Sequence, residues 1–378
     1  MLFRLTKLLN LFDYFCPVQN ISFMHQKERI YFLDWLRAIA CLMVLFVHSA
    51  EAHYSNDYTF AFSSDTARWS VIVFQSLVRS CVPLFLMASA YLLVPIKTDA
   101  LTFFKRRFKR VVIPLLFFVA LYAVLPTLWG AQTWSQAWTE LWHACFTFPV
   151  SGSHLWFVYM LVGIYLIMPV LSPWLERISR REEQVFIGIW LFSTVFYRLR
   201  PLVGGSLFGE CWWGVNAMFY YVSGFVGYVL LAHYIRTYLH WGKKKIMSIC
   251  LPIFIVTVAL CIFSGAYYST RCTTPAELER DWQFLSFPIV LMSFSAFMLI
   301  STIKSSGRFY NRIIIKISDA SYGMYLMHMF FLRPIFNLCS PIMPEYICIP
   351  VVAVCSYLVS FAVSSVIGKL PYGKYIVG

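Results

Sequence analysis

The chain has 378 residues, 60% of them hydrophobic and only 13% charged, with a formal net charge of +14. Ordinary soluble domains carry roughly 45–50% apolar and about 25% charged residues, so water is excluded as the solvent for most of this surface. The positive charges are spread along the chain rather than gathered on one patch. That excludes nucleic acid as a partner and points to membrane lipids with anionic headgroups and to an anionic cytosolic ligand.

Residues 1–30 interleave Leu2, Phe3, Leu5, Leu8, Leu9, Leu11 and Phe12 with Arg4 and Lys7, as an interfacial cytoplasmic segment does. No small-residue cleavage site follows a clean apolar core, so a removable signal peptide is not expected. A translation start at Met24 is the alternative account of these residues. From residue 31 to 368 the chain reads as one membrane domain, and residues 369–378 as a cytoplasmic tail.

A bilayer core about 30 Å thick needs about 20 apolar residues per helix, and about ten runs of suitable length occur. They centre on Tyr31–Ala50, Ser70–Pro95, Val111–Gly130, His154–Pro173, Val185–Tyr197, Cys211–Tyr234, Ile246–Tyr267, Trp282–Thr302, Ile317–Leu338 and Tyr346–Gly368. The expected fold class is all-α, a polytopic integral membrane bundle. Lys and Arg are retained in cytoplasmic loops, and about 23 of them fall at the termini and in alternate loops, against about five elsewhere. Both termini are therefore expected in the cytoplasm. Cys145, Cys211, Cys272 and Cys339 fall on the outer side, where an oxidising compartment would permit a bridge.

Charge inside a membrane helix costs at least a few kcal/mol, so each such residue needs a partner or a purpose. The first span holds Asp34, Arg37, His48 and, at its end, Glu51. Arg37 and His48 lie about three helical turns apart, within about 20° on one face and roughly 16 Å along the axis. His48 is suited to proton transfer near neutral pH, and Glu51 at i+3 is placed to orient its ring. Snorkelling of Arg37 and a structural His48 bonded to a neighbouring helix are the alternatives.

In the second span Arg79 precedes Pro83, whose ring disrupts the helix, and Ser89 and Tyr91 follow. The run Lys105-Arg106-Arg107-Phe-Lys109-Arg110 serves topology and is also able to grip phosphates. His154-Leu-Trp156-Phe-Val-Tyr159 opens the fourth span in the manner of an aromatic belt with one titratable group. In the ninth span Ser321, Tyr325 and His328 share one helical face, which also suits an interhelical hydrogen-bond cluster.

Several of these motifs, taken in order, resemble acyltransferase family 3, membrane proteins that O-acylate bacterial surface carbohydrates. The resemblance runs from about residue 31 to 335. It rests on Arg37-x10-His48 after Leu-Asp34-Trp-Leu, on Arg79-x-x-Val-Pro83-Leu-Phe leading to Ser89 and Tyr91, and on His154-Leu-Trp156-Phe. Phe225-Val-Gly227-Tyr228 and Ser321-Tyr-Gly-Met-Tyr325-Leu-Met-His328 complete it. Ala90 stands where Gly is usual between Ser and Tyr, and Phe157 where Tyr is common.

The resemblance implies an acyl-CoA co-substrate, acetyl-CoA by family habit and without a metal, used from the cytoplasm. The acceptor it implies is a hydroxyl of a surface polysaccharide or lipid-linked glycan at the outer half of the bacterial cytoplasmic membrane. His48 is then the expected base, Glu51 its orienting partner, and Tyr325 or His328 the oxyanion donor. Asp34, Arg37, Arg79, Ser89 and Tyr91 are expected at the acyl donor, and His154, Trp156 and Ser321 at the acceptor. Direct transfer and an acyl-His48 intermediate are both compatible with these residues. The competing functions are a glycan or glycolipid transporter and a noncatalytic subunit of a polysaccharide-synthesis complex.

Overall fold

The computed structural model describes residues 29–56, 59–203, 217–303 and 307–378. The expected interfacial segment at the N-terminus lies outside the described residues. The longer helices are α1 (Tyr31–Glu51), α2 (Asp65–Val78), α3 (Cys81–Leu93), α4 (Ala100–Leu128), α5 (Trp134–His143), α6 (Trp156–Arg177), α7 (Arg180–Val203), α8 (Val226–Tyr238), α9 (Lys243–Ser269), α10 (Phe287–Ser301), α11 (Ile315–Cys339) and α12 (Glu345–Ile367). One two-residue antiparallel ladder, β1 (Ser55–Asn56) with β2 (Thr59–Phe60), interrupts an otherwise helical chain.

Among the described residues, six stretches are long and apolar enough to cross a membrane: Tyr31–Glu51, Asp65–Leu93, Ala100–Leu128, Val150–Arg177, Lys243–Ser269 and Glu345–Ile367. The other expected runs overlap helices that fall short for identifiable reasons. α8 and α10 have 13 and 15 residues. α7 opens on Arg180, Arg181, Glu182 and Glu183, and α11 carries Lys316, Asp319 and Arg333. The start of the sixth run, at Cys211, lies outside the described residues. Cys145, Cys272 and Cys339 are free thiols.

α1 is the hub, packed against α2, α3, α10, α11 and α12. Lipid is as apolar as a leucine surface, so helices associate by close packing and interhelical hydrogen bonds. The buried face of α1 supplies both. Ala38, Ala40, Ser49 and Ala50 let neighbours approach, while Tyr357 of α12 donates to the Ala38 carbonyl at 3.1 Å and Ser49 donates to the Ile349 carbonyl at 2.9 Å. At the Arg37 end, Asp34 accepts from the Tyr310 hydroxyl at 2.5 Å and the Ser318 hydroxyl at 2.6 Å.

Two local features set the walls around α1. A proline ring collides with the carbonyl four residues earlier, and Pro83 accordingly breaks the helix at Arg79 and Ser80, between α2 and α3. Gly227 opens α8 against α7 so closely that an added Cβ would sit 1.9 Å from the Trp190 ring. Trp190 is wholly buried there and donates its indole N–H to the Gly224 carbonyl at 2.8 Å.

Candidate active site

At the end of α1, His48 Nδ1 lies 2.7 Å from Glu51 Oε2. A carboxylate only accepts, so Nδ1 carries a proton, and in the neutral ring Nε2 then keeps the lone pair. The second oxygen of Glu51 faces Arg79, whose Nη2 lies 3.3 Å from Oε1. The helix break at Arg79 lets this guanidinium turn inward, and only 3% of the residue is exposed. Its Nη2 also donates to the Tyr54 hydroxyl at 3.3 Å and pairs with Glu279 Oε1 at 3.3 Å. Tyr54 donates in turn to Glu279 at 2.6 Å. One buried cation thus joins two carboxylates, as burial of charge requires.

Two further imidazoles face His48. The His328 ring centroid lies 5.1 Å from that of His48 and 4.8 Å from that of His154; His48 and His154 are 6.3 Å apart. Each of the two partners is anchored to a backbone carbonyl. His328 Nδ1 donates to Tyr325 at 2.6 Å and His154 Nε2 to Leu326 at 3.4 Å. Their other nitrogens, His328 Nε2 and His154 Nδ1, are buried without a protein partner. The Tyr325 hydroxyl donates to the His154 carbonyl. His154 is held by a tight turn before α6, in which a Cβ at Gly152 would come within 3.1 Å of Tyr122.

His48, Glu51, Arg79, His154, Glu279 and Tyr325 line a cavity of about 480 Å³, and His328 packs behind His48 and His154 without being among its lining residues. Trp156 stacks on Phe284 with ring centroids 5.5 Å apart and forms its aromatic wall. Toward the Arg37 end of α1 is a second cavity of about 120 Å³, lined by Arg37, Ser89, Arg107, Arg110, Asp319 and Ser321 among others. Tyr325 lines both cavities and stands between them. A third, of about 960 Å³, holds Tyr122, Trp129, Gln132, Phe330 and Arg333, and shares Ser153 with the first.

The structure brings His48, Glu51, Tyr325 and His328 together, with His154 and Trp156 beside them. Arg37 and Ser89 share the small basic cavity, and Ser321, expected at the acceptor, lies there too. Arg79, expected at the acyl donor, lines the His48 cavity instead, because the Pro83 break turns it toward Glu51. Neither Asp34 nor Tyr91 is among the residues lining the Arg37 cavity. Asp34 spends its carboxylate on Tyr310 and Ser318, and Tyr91 packs against Phe32 and Phe297. His154 is 3% exposed and Trp156 faces Phe284, so neither acts as a belt residue.

Glu279 lies in the outer loop Tyr268–Asp281, and Tyr54 in the outer loop Glu51–Trp69, both of which the sequence offers as covers or linings of an outward-facing cavity; neither Tyr54 nor Phe284 is singled out by the sequence. Among the described residues no group of three or more His, Cys, Asp or Glu is arranged to hold a metal ion.

A family model described as an acyltransferase domain matches residues 30–369. No curated protein and no solved structure matches the chain.

Proposed function

We propose, from the premise that this chain belongs to acyltransferase family 3, that it is an integral membrane O-acyltransferase acting from acyl-CoA, acetyl-CoA in the first instance. The acceptor in this reading is a hydroxyl of a surface polysaccharide or lipid-linked glycan, and the membrane is the bacterial cytoplasmic membrane. The helices cross it about ten times, with both termini inside. The observation that carries the reading is the His48–Glu51 pair, set in a cavity that adjoins an arginine-lined one through Tyr325.

The basic cavity suits the phosphates of CoA: Arg37, Arg107 and Arg110 surround it against a single acid, Asp319. Extended pantetheine reaches over a span comparable to the roughly 16 Å from Arg37 to His48, which carries the thioester past Tyr325 toward the imidazole. His48 Nε2 takes the proton from the acceptor hydroxyl as its oxygen attacks the thioester carbonyl. The C–S bond then breaks, the acyl ester is left on the acceptor, and CoA leaves as the thiol with the proton returned by His48. Glu51 holds Nδ1–H and stabilises the imidazolium between these steps.

Tyr325 is the best placed of the expected oxyanion donors, since its hydroxyl only has to leave the His154 carbonyl. His328 spends Nδ1–H on a carbonyl, so it would donate from Nε2 only as an imidazolium.

The deciding experiment is transfer by purified protein from radiolabelled acetyl-CoA to extracted cell-surface glycans and glycolipids, comparing wild type with His48→Ala. Transfer by wild type alone supports the enzyme. Absence of both transfer and CoA binding would move the function to glycan transport. Label that stays on the protein when acceptor is withheld would favour an acyl-His48 route over direct transfer.

A further inference from the structure

The cavity of about 960 Å³ has a one-sided charge among its described lining residues. Arg333 lines it, and among the described residues its lining contains neither Asp nor Glu. Two acids hydrogen-bond to backbone amides of lining residues: Glu277 accepts from Thr273 N at 2.8 Å, and Glu140 from Val150 N at 3.1 Å. Among the described residues, no hydrogen bond or ion pair engages the Arg333 guanidinium, whose side chain is exposed. A cation with no acidic partner among the described residues attracts anions to an open recess.

The other lining groups suit a sugar. Tyr122 and Phe330 stack face to face with centroids 4.2 Å apart, and Trp129 is 65% exposed beside them. Gln132, Ser151, Ser153, Thr273 and Thr274 supply polar atoms. This recess and the His48 cavity share Ser153 in their linings. Arg333 follows His328 by five positions on α11, about 7.5 Å of helical rise toward the C-terminal end of that helix.

Resting on the acyltransferase reading above, we infer that the acceptor carries an anionic oxyacid group, bound by Arg333. Two sources share this chemistry: the carboxylate of an acidic sugar, and the phosphate of a lipid carrier. A guanidinium binds either through paired N–H donors.

The test uses purified full-length protein, acetyl-CoA and two matched acceptor pairs. One pair is a uronic-acid oligosaccharide and its carboxyl-reduced neutral form. The other is a neutral sugar on a short polyprenyl pyrophosphate and the same sugar as an octyl glycoside. Wild type, Arg333→Gln and Arg333→Lys are compared by kcat/KM and, separately, by acceptor binding without acyl donor. Wild type is expected to favour the charged member of one pair by at least about tenfold, the effect of one charge-assisted hydrogen bond. Arg333→Gln should bring that ratio close to one, and Arg333→Lys should keep most of it.

The pair that responds identifies the source of the charge. Equal use of both members of each pair by wild type, or selectivity that survives Arg333→Gln, overturns the inference. If no acceptor is acylated, the enzyme reading fails by itself, and binding decides the rest. Charge-selective binding lost in Arg333→Gln upholds the anion site, whereas binding indifferent to charge ends it.

Discussion

Glu51 holds the Nδ1 atom of His48 at 2.7 Å, one turn along the same helix, so the ring is aimed before any substrate arrives. The remaining oxygen of Glu51 faces buried Arg79 at 3.3 Å. Orientation and charge balance of the imidazole are therefore set by two separate elements, α1 and the break before α3.

Glu51→Gln tests that arrangement. An amide is able to donate to Nδ1, which would move the imidazole proton to Nε2 and remove the base. A fall in kcat of about 10²–10⁴ is expected, with KM for acyl-CoA little changed. His48→Ala should fall at least as far at saturating acyl donor. Both variants should insert and elute as wild type in detergent; activity within about threefold of wild type for either would remove the dyad from the chemistry.

Arg37 is assigned to a different task. Loss of one charge-assisted contact to a phosphate should raise KM for acyl-CoA by about tenfold to a hundredfold. Turnover at saturating acyl donor should survive, unlike that of His48→Ala. Steady-state kinetics over a range of acetyl-CoA concentrations separates the two, and equal, mild losses from both variants would refute the division of labour.

Tyr325 stands between the basic cavity and the His48 cavity. Tyr325→Phe keeps the partition but loses the hydroxyl, and a drop of about 10²–10³ in kcat is expected if that hydroxyl meets the oxyanion. Tyr325→Ala removes the partition as well, so acyl-CoA hydrolysis without acceptor should rise above wild type. A hydrolysis assay on both variants checks the pair of outcomes; unchanged turnover in Tyr325→Phe would leave the ring with a packing role only.

Breaking the Arg79 network should be visible in stability. Arg79→Leu leaves Glu51 and Glu279 without their shared cation, and removal of one partner from a buried ionic group costs about 3–5 kcal/mol. Thermal unfolding in detergent should show it, and Glu279→Gln in the same background should recover part of the loss. A variant as stable as wild type would mean that the carboxylates are neutralised in another way.

Gly227→Ala should destabilise the junction of α7 and α8, because its Cβ would fall 1.9 Å from the Trp190 ring. Overpacking of this kind costs about 1–3 kcal/mol. Trp190→Leu combined with Gly227→Ala should be milder than the sum of the single changes, since the clash is shared. Strict additivity by thermal unfolding would show that the two residues do not meet.

Much of the helical framework was legible in the chain because hydropathy and helical period are local. The α1 run from Tyr31, the Arg37–His48 separation and the Glu51 placement follow from backbone geometry alone. The break at Arg79 was legible for the same reason, through Pro83, although the direction in which it turned the guanidinium was not. Span counting was less secure where α11 mixes Lys316, Asp319 and Arg333 into an apolar run, because charge facing a cavity and charge in a loop read alike.

What the sequence determined by itself is thus a set of helices and the axial position of each polar group on them. Tertiary structure alone decided that His154 and His328 face His48, that Tyr54 and Glu279 reach Arg79, and that Ser321 lies with Arg37. It also sent Asp34 to Tyr310 and Ser318. The physical reason is that a lipid-facing surface and a helix-facing surface are equally apolar. Hydropathy therefore says which segments enter the membrane, and only side-chain packing and interhelical hydrogen bonds decide which faces meet.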